Sequence, residues 1–137
     1  MKKNSLTKLN KHAVAMISLL VVQYLVGMLT NLYIHFPEGE SVAHQWKFAS
    51  GQWLVMLHVI VGTLLVFGVM ALYVQAIKMK DKTWKIAGGI ASGSVILAFI
   101  CGEEFVSRQS DMYSFAMSLF FIVALGAICW GIYKARA

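Results

Sequence analysis

The sequence predicts an all-α integral membrane protein, a four-helix up-down-up-down bundle with both termini cytoplasmic. Three observations carry this expectation. The chain has 137 residues, 59% of them hydrophobic and 13% charged, with a mean hydropathy of +0.70. A soluble domain of this size has too small a core to hide so much apolar surface. The apolar residues gather into four runs, at about 13–34, 53–77, 86–102 and 112–133. Roughly 20 residues at about 1.5 Å each cross a hydrocarbon core of about 30 Å, and a backbone in lipid must bond to itself, so each run is a helix. Finally, basic residues flank the runs mainly on one side.

Residues 1–12 are polar and basic, with Lys2, Lys3, Lys8 and Lys11. The first span, 13–34, reads as an uncleaved signal anchor. Pro37-Glu38-Gly39-Glu40 follows it, and the one small-x-small site, Ser41-Val42-Ala43, is distant. Gln23, Thr30 and Asn31 make it the most polar span and predict a face turned into the bundle. The longest connection, 36–52, follows His35 and holds Glu38, Glu40, His44, Trp46 and Lys47, and residues 42–48 predict a short interfacial helix. The second span, 53–77, encloses His58. After the basic loop from Lys78 to Lys85, the third span, 86–102, is rich in small residues. Its Gly89-x-x-x-Gly93 has the spacing that lets helices approach closely. Residues 103–111 predict a short acidic connection, and 112–133 the fourth span. Residues 1–137 thus form a single membrane domain, and its short connections favour sequential neighbours.

Charge sets the orientation. Ten of the twelve Lys and Arg residues fall on one side of the spans, with only Lys47 and Arg108 on the other. In short loops, that asymmetry places the basic side in the cytoplasm. Asp81 is inside, whereas Glu38, Glu40, Glu103, Glu104 and Asp111 are outside. Trp46, Trp53 and Tyr113 mark the outer interface; Trp84, Trp130, Tyr133 and Tyr73 mark the inner one. The net charge of +6 therefore belongs to membrane orientation and excludes a nucleic-acid face. The lipid bilayer is the expected partner, and the small-residue face of the third span would suit a homodimer or larger membrane complex. A lysine-rich, arginine-poor composition fits a bacterial cell membrane. Cys101 and Cys129 fall at opposite membrane faces, too far apart to bridge. No nucleophile elbow, phosphate loop or paired catalytic carboxylates are present, so an enzyme is not the expectation.

Two constellations carry chemistry. His58 lies five residues past Trp53 and Met117 five past Met112, which puts both at similar depth in the outer half of the bundle. An imidazole and a thioether are an axial pair for haem iron, and Gly62, one turn below His58, would leave room for a porphyrin edge. Gly27 and Gly126 are candidates for the same role. The alternatives are a histidine bonded to a neighbouring helix, a methionine filling a gap, and glycines ordinary to spanning helices. The second constellation lies at the outer rim. His35, His44, Glu103 and Glu104, with Glu38, Glu40 and Asp111, combine the imidazoles and carboxylates that bind a divalent metal such as zinc. A solvated acidic rim is the simpler reading. Either Glu103 or Glu104 turned inward toward Gln23, Asn31 or His58 would make a proton-handling pair.

His58-Val-Ile-Val-Gly62, on a helix preceded by a span and an extended outer loop, resembles one four-helix half of haem A synthase and, more broadly, the small membrane cytochromes b. The likeness covers at most residues 20–75. It implies a bundle that binds haem b with His58 as an iron ligand, for electron transfer or haem handling near the external face. The chain departs from that family at Val59, where an arginine is usual, at Leu54, where a glutamate stands one turn earlier, and in lacking a histidine on its fourth span. The competing expectation is a non-catalytic accessory subunit or small transporter with a polar or metal-binding cluster at the external face.

Overall fold

The computed structural model describes residues 2–37 and 39–136, with side chains for 7–37 and 39–135. Glu38 lies outside the described residues, as do the side chains of Lys2, Lys3 and Arg136. Among the described residues the regular elements are all helices: α1 (Lys2–Tyr33), α2 (Val42–Gly51), α3 (Trp53–Lys78), α4 (Lys82–Arg108) and α5 (Asp111–Arg136). Among the described residues, four helices are long and apolar enough to cross a membrane, over Thr7–Tyr33, Trp53–Lys78, Lys82–Arg108 and Asp111–Ala135. Leu25, Leu32, Ile60, Leu64, Phe67 and Ile122 are exposed. An apolar surface of that extent belongs against lipid.

The helices overrun the apolar runs. α1 continues back to Lys2, since no proline or glycine breaks residues 2–12. The third span differs most. α4 begins at Lys82, where the side chain of Asp81 accepts from the Trp84 N–H at 3.0 Å as an N-cap. It then runs through Glu103 and Glu104 instead of ending at 102. Glu104 and Arg108 pair across one turn, and the helix stops at Gln109, which is left-handed with φ 52°. Charges ended the apolar run without ending the helix.

The expected short helix is α2. Ser41 caps it, and Gln52 alone, extended at φ −98° and ψ 112°, separates it from α3. The Gln45 amide donates to the Pro37 carbonyl, and Trp46 Nε1 lies 3.2 Å from Ser107 Oγ on α4. Phe36 meets the edges of Phe48 and Phe105. These contacts bind the long connection onto the bundle.

Each long helix packs on its neighbours in sequence, α1 on α3, α3 on α4 and α4 on α5, and α1 also meets α5. The contacts run in reverse order between α1 and α3 and between α3 and α4. Thr30 reaches Leu54, Gly27 faces His58, Gly62 faces Gln23 and Gly68 faces Met16. Ser92 Oγ donates to the Val69 carbonyl at 3.1 Å, and Gly88 lies against Tyr73. The buried small residues of α4, Ala87, Gly88, Ala91 and Ser92, are therefore used within the chain. Gly93 has open space beside it.

The main core joins Leu9, Leu20, Leu65, Val69, Leu72, Trp84, Val95 and Ile128. Trp84 is fully buried, and a Cβ on Gly131 would lie 2.8 Å from its ring. It is a core residue, where an interfacial anchor was expected. Trp130 and Tyr133 are exposed, as such anchors should be. A second cluster gathers Ala49, Val55 and Val106 beneath α2.

Candidate functional site

His58 belongs to neither apolar cluster. It sits on the face of α3 that meets α1, where its Nε2 lies 3.0 Å from the side-chain nitrogen of Gln23. Glycines make this contact possible. A Cβ on Gly27 would lie 2.9 Å from His58 Cε1 and 3.3 Å from Nδ1, and one on Gly62 would lie 3.1 Å from Gln23 Nε2. Each helix therefore carries a polar residue and, four residues later, a glycine. Gln23-x-x-x-Gly27 and His58-x-x-x-Gly62 pair in reverse order, so each glycine receives the polar side chain of the other helix. Residues four apart share a helix face, which lines up both halves of the exchange. One turn away, Thr30 Oγ1 donates to the Val26 carbonyl at 2.9 Å and lies 3.4 Å from that of Leu54.

The exchange leaves polar capacity unused. Gln23 Oε1 and His58 Nδ1 are both buried without a hydrogen-bond partner. Buried polar atoms are normally satisfied, and leaving one unpaired costs about 1–3 kcal/mol.

The other predicted residues are placed as follows. The sulfur of Met117 on α5 lies against Gly102 of α4, where a Cβ would be 3.2 Å from it. Met117 thus occupies the α4–α5 seam, and His58 the α1–α3 seam. Gly62 seats the Gln23 amide, and nothing lies within 4 Å of a Cβ at Gly126. Asn31 is exposed, whereas Gln23 and Thr30 turn inward. At the rim, His35 and Glu103 are exposed, His44 Nδ1 is 3.7 Å from Glu40 Oε2, and Glu104 is held by Arg108. Among the described residues, no group of three or more His, Cys, Asp or Glu side chains is placed to hold a metal ion. Cys101 and Cys129 are free.

Sequence reasoning identified His58 and placed Gln23 inward without pairing the two. The signal available was the matched four-residue spacing from each polar residue to a glycine. Comparisons with protein-family models, with curated proteins and with solved structures find no match to this chain.

Proposed function

We propose that this chain is a multi-pass protein of the cytoplasmic membrane, an up-down-up-down bundle with both termini inside, that binds a redox cofactor at His58 for electron transfer or haem handling. The charge asymmetry supports the orientation, and the reverse-order helix pairings support the topology. One observation carries the cofactor reading: a half-buried imidazole inside a spanning helix, with buried polar atoms at the contact that the bundle leaves unsatisfied. Ionisable groups at such depth are costly and mark functional sites.

If haem b binds, His58 would hold it through a ring nitrogen. Gly27 seats the His58 ring, and Gly62 seats the Gln23 amide beside it. Met117, which lies in the α4–α5 seam, is the candidate second ligand. When bound, haem supplies one-electron chemistry. Gln23 holds the ring through their 3.0 Å contact.

Purification in detergent after expression with haem available tests the proposal. An oxidised and a reduced absorption spectrum should show a stoichiometric Soret band that His58→Ala abolishes and Met117→Ala shifts. A colourless protein from haem-replete cells contradicts it.

The Gln23–His58 hydrogen bond itself favours a second reading, because it closes the seam without any ligand. The protein would then be an accessory subunit or small transporter, colourless and recovered with a membrane partner. Zinc bound through His35, His44, Glu103 and Glu104 would show by metal analysis of the same sample.

A further inference from the structure

One end of the bundle gathers positive charge that the chain does not offset. α1 begins there with Lys2 and Lys3 and carries Lys8 and Lys11, α3 ends there at Lys78, and α4 opens there with Lys82 and Lys85. The first turn of a helix carries partial positive charge and favours acidic side chains. Neither α1 nor α4 has an acidic residue in its first turn. Asp81, the one acid at this end, accepts from the Trp84 N–H. Among the described residues the ionic contacts, Glu40 with His44 and Glu104 with Arg108, lie at the opposite end. Beside the lysines, Thr7, Asn10, Lys11 and Val14 line an open hollow of about 320 Å³. Residues at these positions share one side of a helix. Lys11 is exposed, and the Asn10 carboxamide has one end buried without a hydrogen-bond partner. The span Thr7–Tyr33 has 27 residues, about 40 Å of helix against a hydrocarbon core of about 30 Å, so residues at its ends reach the headgroup layer.

We propose that this hollow binds the headgroup of an anionic phospholipid of the phosphatidylglycerol class, with Lys11 on the phosphate, Asn10 on the glycerol hydroxyls and Val14 against the start of the acyl chains. The ammonium of Lys11 supplies up to three donors and a full charge to phosphate oxygens. The Asn10 carboxamide has both a donor and an acceptor. A headgroup that offers phosphate oxygens and hydroxyls satisfies it whichever way round the amide sits. Thr7 closes the hollow toward the start of the chain. A zwitterionic headgroup brings no net charge to offset the lysines, whereas an anionic one does. The proposal needs α1 to span the bilayer. It rests neither on the cofactor reading of His58 nor on which compartment the lysine-rich end meets.

Native mass spectrometry of the full chain, released from detergent micelles doped with phosphatidylglycerol or with phosphatidylcholine of the same acyl chains, tests this. The wild type should retain phosphatidylglycerol in preference to phosphatidylcholine. Lys11→Gln should weaken phosphatidylglycerol binding about fivefold, and Asn10→Leu should weaken it too, with phosphatidylcholine unmoved in both. Lys85→Gln, on α4 at the same end, should leave the first bound lipid in place. Equal retention of the two lipids overturns the proposal. So does an equal loss in Lys11→Gln and Lys85→Gln, which would mean attraction to the whole basic face without a site. Displacement of the lipid by soluble glycerol phosphate at matched concentration would overturn the lipid as occupant. Lys11 is exposed, so its substitution leaves the fold alone. If Asn10→Leu does not fold, Asn10→Asp replaces it, and its added negative charge beside Lys11 should weaken phosphatidylglycerol binding further than Lys11→Gln does.

Discussion

A single methyl group distinguishes the two glycine environments that matter most for the site. At Gly27, a Cβ would meet the His58 ring at 2.9 Å, and the ring is held on its other side by Gln23. Gly27→Ala should therefore force the ring or the helix to shift, at a cost of about 1–3 kcal/mol. At Gly126 nothing lies within 4 Å, so Gly126→Ala should stay within about 0.5 kcal/mol of the wild type. Unfolding in mixed detergent measures both, and equal effects would contradict the seating of His58. His58 was legible in the sequence because an imidazole inside an apolar run stands out. Gln23 was legible only as an inward-facing residue. Its partner depends on how far α3 slides along α1, and helical periodicity along one chain says nothing about that offset. Equal depth of His58 and Met117 likewise left open which seam each side chain enters.

Helix existence was legible from apolar runs, and helix ends were less so. Residues 103–108 looked like a connection because Glu103, Glu104 and Arg108 interrupt hydrophobicity. Hydropathy measures preference for lipid, however, and a helix needs only unbroken backbone bonding. Glu104 and Arg108, four residues apart, suit a helix surface, and the real terminator is the left-handed Gln109. Trp84 shows the same limit from the other direction. An aromatic beside a basic loop reads as an interfacial anchor. Gly131 on α5 gives the ring space within the core, and a pattern along one helix does not register a gap in another. The small residues of α4 were read as a close-packing face through Gly89 and Gly93, and Gly93 has open space beside it. Ser92 and Gly88 place that packing against α3.

At the scale of the whole molecule, the proposed topology places Lys80 in the cytoplasm and Ser110 outside. In a background lacking Cys101 and Cys129, Ser110→Cys should react with an impermeant thiol reagent on intact cells. Lys80→Cys should react only after lysis, and the reverse pattern would contradict the orientation. The bundle combines two apolar clusters with a polar contact that belongs to neither, that of Gln23 with His58. A double-mutant cycle between Gln23 and His58, read as unfolding free energy in detergent, tests it most directly. Hydrogen bonds between spanning helices couple by about 0.6 kcal/mol on average and up to about 1.7. Because this one is seated by two glycines, Gln23→Leu and His58→Leu should couple by about 1 kcal/mol or more. Additive effects, with no coupling beyond error, would contradict the account.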